Sequence, residues 1–142
     1  MTKMIFVNLP VSDLEKSTAF YETMGATKNP QFSDETASCM VFSDAIHVML
    51  LTHDKYRQFT PKRIADAQET SQALLCMTVD GREDVDRIGE TAIRLGGRHL
   101  DGPNDHGFMY ERAFDDPDGH GWQVMHFDAE MAARMMAEPA TA

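Results

Sequence analysis

His47 and Glu111 are the side chains of this chain best suited to acid–base chemistry. His47 lies within an apolar strand-like run, Ile-His-Val-Met-Leu-Leu. Glu111 lies near His106 and Tyr110 in the stretch Asn-Asp-His-Gly-Phe-Met-Tyr-Glu-Arg. A histidine or carboxylate acts as general acid or base when a substrate proton comes within hydrogen-bond reach, so these two are the catalytic candidates. A lone strand histidine is more commonly a packed, hydrogen-bonded group. The commoner signatures are missing: there is no GxSxG, phosphate-binding loop, GxGxxG turn after a strand or HExxH pair. The six histidines are scattered. Cys39 and Cys76 sit in apolar runs and form no CxxC pair. Asp118 and His120 belong to a turn in which Asp, Pro and Gly serve backbone geometry. His126 alternates in phase with Trp122 and Val124 and reads as packed. Tyr56, Arg57 and Arg63 in the linker read as plain surface, with gating of the pocket as the alternative.

The 142 residues suit one domain. A net charge of −10 repels nucleic acid and anionic membrane surfaces, so neither is expected as a partner. No apolar run approaches the ~20 residues of a membrane helix. The N-terminus lacks the pattern of a secretory signal, and the cysteines are not spaced as a disulfide framework. A reduced, cytoplasmic protein is expected.

Two copies of one order of elements position these residues. Residues 4–9 form an apolar strand, after which Ser12, with Glu15 three residues on, predicts a helix cap. A helix follows to Gly25, then three short strands near 27–32, 37–42 and 46–51. The order returns with a strand over 73–79, a cap at Asp80 with Glu83, a helical stripe of Val85, Ile88, Ala92, Ile93 and Leu95 closed by Gly96-Gly97, and strands near 98–100, 108–114 and 122–127. The expected layout is module one over 4–52, a linker over 53–72 with a short helix near 61–70, module two over 73–127 and a terminal helix within 128–137. In that helix Met131, Ala132 and Met135 are expected to cover an apolar patch. The fold class is α+β: two βαβββ modules forming one curled mixed sheet around a cleft, with helices on its outer face.

This order, with "LPVSDLEKSTAFYETMG" at the first strand-to-helix junction and "DHGFMYERAFDDPDGHGWQVM" as the closing hairpin, resembles the vicinal oxygen chelate superfamily of glyoxalase I, extradiol dioxygenases and bleomycin-resistance proteins. The resemblance implies a homodimer and four strand positions that hold a divalent metal. Counted from the two strand-to-helix junctions, along the fourth strand and from the closing turn, these fall on Phe6, Leu74, Met49 (within one or two residues either way) and Gln123. Three of the four carry no donor that suits zinc, nickel or iron(II), and a single neutral amide does not hold such an ion against water. The expectation is therefore no metal and no other cofactor. Strand alternation puts Phe6 and Asn8; His47, Met49 and Leu51; Leu74, Cys76 and Thr78; and Gly121, Gln123, Met125 and Phe127 on the concave face. Only Asn8, His47, Cys76 and Gln123 in these sets could rebuild a metal site.

That face is mostly hydrocarbon with sparse polar groups, the usual make-up of a small-molecule pocket. The expected ligand-binding residues are Phe6, Asn8, His47, Met49, Leu74, Cys76, Gln123 and Met125. The expected function is binding of a small, partly apolar molecule, as drug-sequestering resistance proteins of that superfamily do. The alternatives are a lactoylglutathione lyase-like or extradiol dioxygenase-like enzyme with a non-standard site, and a partner-binding domain without a ligand.

Overall fold

Each module is a strand, a helix and three strands in which the first strand lies parallel beside the last. A computed structural model describes residues 3–137, apart from the side chains of His99 and Met135. Module one runs β1 (Ile5–Val11), α1 (Leu14–Thr23), β2 (Thr27–Asn29), β3 (Ala37–Val41) and β4 (Ile46–Thr52). A short helix, α2 (His53–Arg57), leads into an irregular strap over residues 58–73. Module two follows as β5 (Leu74–Val79), α3 (Arg82–Arg94), β6 (Arg98–Asp105), β7 (Met109–Asp115) and β8 (Gly121–Phe127), and α4 (Ala129–Ala137) ends the described chain. The strand orders are β1-β4-β3-β2 and β5-β8-β7-β6, with β1–β4 and β5–β8 parallel and the other pairs antiparallel. The single mixed sheet expected from the repeat is thus two four-stranded sheets, because β1 and β5 are the facing edges and are not paired with each other.

Both helix caps fall one residue later than the sequence reading placed them. Asp13, not Ser12, takes the extended cap position and accepts from the Lys16 amide at 3.1 Å. Its carboxylate suits the positive end of the helix. The Ser12 amide instead donates to Asp118 at 2.9 Å. Gly81, not Asp80, precedes α3 and offers no side chain; Glu83 and Asp84 supply first-turn charge. The linker helix also lies elsewhere. Thr52 caps α2 and accepts from the Lys55 amide, whereas residues 61–70 are irregular. β6 extends past Leu100 through two register shifts. Pro103 lies within β6, where proline is tolerated because β6 is an edge strand. Residues 30–32 leave the second strand as a single 3-10 turn begun by Pro30.

One core serves both modules. Met40, Val48 and Leu50 from the first sheet meet Phe114, Trp122 and Val124 from the second around Phe20, Tyr21, Val85 and Ile88 of the helices. On its own side α1 binds its sheet through a 2.7 Å hydrogen bond between Thr18 and Ser38. On the other side Phe20 packs edge-on to Phe114 and Tyr21 to Trp122. The Trp122 indole donates to the Tyr21 oxygen at 2.9 Å, and Tyr21 donates to Asp116 at 2.6 Å. Asp116 also accepts from the amides of Asp118 and His120, both at 2.9 Å. This buried chain ties α1 to the β7–β8 turn, and every polar group in it has a partner.

Burial, then the neighbouring Asp116 carboxylate, pushes the Tyr21 phenol well above its ordinary value. An unfolded tyrosine ionises near pH ~10, while folded Tyr21 remains neutral. Its contribution to stability is therefore complete below about pH 10 and is lost as pH climbs toward the folded value. Urea midpoints measured across the alkaline range should fall more steeply for the wild type than for Tyr21→Phe, although the variant starts lower at neutral pH. Parallel curves would remove Tyr21 from the alkaline response.

Candidate functional site

Strand alternation is realised in both sheets. Val48, Leu50, Trp122 and Val124 are buried on the helix side, and Val7, Leu9, Leu75, Met77 and Val79 pack against that core. The opposite, open face carries the residues singled out in sequence. In module one Phe6 pairs with His47 and Asn8 with Met49. In module two Leu74 pairs with Gly121, Cys76 with Gln123 and Thr78 with Met125, while Glu111 pairs with Met125 on the far side. Each module thus brings its own half of the candidate set together. The helix sides of both sheets turn toward one core, so the open faces lie on the sides away from it.

Large apolar groups lie bare on these faces. Leu74 is 65%, Phe6 47% and Phe127 42% exposed. His47 is buried under the Phe6 ring, stacked at 4.3 Å between centroids and 14° between planes, and its Nδ1 has no hydrogen-bond partner. In module two His106 Nε2 stands 3.3 Å from Glu111 Oε1. Tyr110 points the other way and donates to Asp86 of α3 at 2.7 Å, as alternation requires. Cys76 is exposed; desolvation by its neighbours, then the Glu111 charge, raises its thiol and favours the protonated form. The turn histidine and aspartate are structural. His120 donates to the Pro10 carbonyl at 2.8 Å, and Asp118 accepts from Ser12 and Ser17. His126 is half-buried, with Nδ1 3.3 Å from the Val79 carbonyl.

The metal fit test is one of donor chemistry. At the four positions assigned by resemblance the groups are a phenyl ring, a thioether, a branched alkyl and an amide. They do not fit a divalent ion of the zinc, nickel or iron class. Among the described residues no three of His, Cys, Asp and Glu stand close enough to hold a metal ion.

Two adjoining cavities, about 750 and 520 Å³, open elsewhere, between the strap and the seam of the modules. Of the expected ligand residues only Asn8 borders either. Tyr56, Arg57 and Arg63, read as plain surface, are cavity-lining instead: Tyr56 borders the smaller, Arg57 the larger and Arg63 both. No periodicity in the strap signalled this. The cluster Arg57, Lys62, Arg63 within an acidic chain was the available clue.

Solved structures share this arrangement. A hypothetical protein from S. aureus superposes with a TM-score of 0.73 at 23% identity, covering 89% of this chain and 95% of that one. A glyoxalase/bleomycin resistance protein/dioxygenase family enzyme from Burkholderia phytofirmans gives 0.72 at 19%, with 89% and 99% covered. A bleomycin resistance determinant encoded on transposon Tn5 gives 0.59 at 19%, with 89% and 99% covered. At these identities the likeness is one of fold. No curated protein matches the chain in sequence. Residues 3–124 match the sequence profile of the Glyoxalase/Bleomycin resistance protein/Dioxygenase superfamily, and the chain belongs to that superfamily. No helix among the described residues is long and apolar enough to cross a membrane.

Proposed function

We propose that the protein binds a small, partly apolar molecule on its open sheet faces, and does so without a divalent ion at the four strand positions. The observation that carries this reading is the exposure of Phe6, Leu74 and Phe127 beside isolated polar groups. Contiguous bare apolar surface rimmed by polar groups marks ligand grooves and interfaces. Asn8, Cys76 and Gln123 are the polar handles, and Met49 and Met125 supply adaptable walls. Because the two faces turn away from the shared core, a two-fold homodimer completes the site. Module one of one copy opposes module two of the other, which yields two equivalent clefts.

A melting screen against amphipathic aromatic and heterocyclic compounds tests it. A ligand at 100 times its dissociation constant stabilises by ~2.7 kcal/mol, a shift on the order of 10 °C for a domain of this size. Gln123→Ala combined with Phe6→Ala should remove the shift while the chain still folds. A shift that survives both changes would place the ligand elsewhere.

A second reading rests on the His106–Glu111 pair at 3.3 Å. It is an enzyme of the lactoylglutathione lyase or extradiol dioxygenase kind with a non-standard site, in which Glu111 moves a proton and His47 assists. Turnover that disappears in Glu111→Gln with folding intact would favour this reading over binding alone. A partner-binding domain without a ligand gains only when neither ligand nor substrate is found.

A further inference from the structure

The smaller cavity beneath the strap differs from the open faces in its charge. Its walls are Val7, Leu9, Ile64 and Leu75, and its charged lining is Lys62 and Arg63 with no aspartate or glutamate. The chain as a whole has 23 acidic and 13 basic residues, so a sizeable cavity without a carboxylate runs against composition. Neither Lys62 nor Arg63 joins an ion pair among the described residues. The cavity is framed from both modules. Gln68 of the strap donates to the Pro117 carbonyl at 2.9 Å. Gly119 lies so close that a Cβ there would sit 2.6 Å from the Ala67 backbone, and its φ of +96° is one that glycine tolerates. Pro10 is held by His120. The strap is therefore packed onto the β7–β8 turn at Ala67 and Gln68, which leaves a partly open cavity under it.

We propose that this cavity is a second ligand site, for a small organic anion: an apolar body against Val7, Leu9 and Leu75, and a carboxylate or phosphate head held by Lys62 and Arg63. Its volume of about 520 Å³ lies in the ~300–1,000 Å³ range of small-molecule pockets. Arginine grips such heads in a bidentate fork, and lysine adds a point charge. The site is independent of the open-face reading, since the two share only the edge residue Asn8.

An amide-resonance NMR titration of the full chain tests it, with phenyl phosphate and benzoate as anions and phenol and benzamide as their neutral counterparts. Shifts should be confined to the strap, β1, β5 and the β7–β8 turn, with Cys39 and Gln123 unmoved. Each anion should bind about tenfold or more tightly than its neutral counterpart, and the double change Lys62→Gln/Arg63→Gln should weaken it about tenfold or more. Both residues are exposed, so the variant should keep the native spectrum. A stronger response to phenyl phosphate or to benzoate identifies the preferred head group, and either supports the site. Absence of strap shifts with both anions at about 10 mM, where a 1 mM binder is nearly saturated, would overturn it. So would equal binding of the neutral compounds, retention of affinity in the double variant, or shifts centred on the open faces.

Discussion

Trp122→Ala is expected to cost ~3–5 kcal/mol, the range for removing a buried aromatic ring. Trp122 is 5% exposed and meets Tyr21 edge-on at 5.7 Å and Phe42 at 6.0 Å, both from module one. Its indole N–H is also the donor to Tyr21, which in turn donates to Asp116. The substitution opens a cavity where the modules join and strips a donor from a buried hydroxyl. Against a total stability of ~5–15 kcal/mol the loss is about a fifth or more. Trp122→Phe keeps a ring and loses the N–H, so a smaller cost, about 1–3 kcal/mol, is expected from the unmade hydrogen bond. Urea unfolding followed by circular dichroism measures both. The midpoint should fall in the order wild type, Trp122→Phe, Trp122→Ala, with one cooperative transition, because the modules share their core. A cost below about 1 kcal/mol for the alanine variant, or two separate transitions in the wild type, would contradict a common core.

The second large effect concerns self-association. Phe6→Glu combined with Leu74→Glu should convert a dimer into a monomer. Both side chains are exposed in the single chain, so carboxylates there leave its fold intact. In a dimer whose clefts oppose module one and module two, each cleft would receive both carboxylates. Desolvating such charges costs several kcal/mol each, with like-charge repulsion added. Sedimentation equilibrium should show two chains per particle for the wild type and one for the variant, with unchanged circular dichroism. A wild type that is monomeric yet binds ligand, or a variant that stays paired, would remove the cross-subunit cleft from the account.

The repeat was legible because each module carries its own punctuation: a capped helix start near Asp13 or Gly81, a glycine after each helix, and period-two strands. Alternation also separated the faces, since Val48 and Leu50 flank Met49 and point to the core, and Trp122 and Val124 flank Gln123. Two features were not legible. The packing of α1 against module two depends on Tyr21, Trp122 and Asp116, about a hundred residues apart in sequence, and no local pattern encodes that pairing. The strap cavities are built from irregular backbone, where neither the helical nor the strand period operates. The offset of the first cap has a plainer cause: serine and aspartate stand side by side at Ser12-Asp13, and both types cap helices well.

Apolar side chains occupy three of the four strand positions that the resemblance assigns to an ion, with Gln123 at the fourth. Calorimetric titration of chelator-stripped protein with nickel, zinc, manganese and iron(II), read beside elemental analysis of protein purified without chelator, tests whether those positions hold one. No stoichiometric metal is expected in either experiment. One ion per site that is lost in Gln123→Ala would overturn the reading.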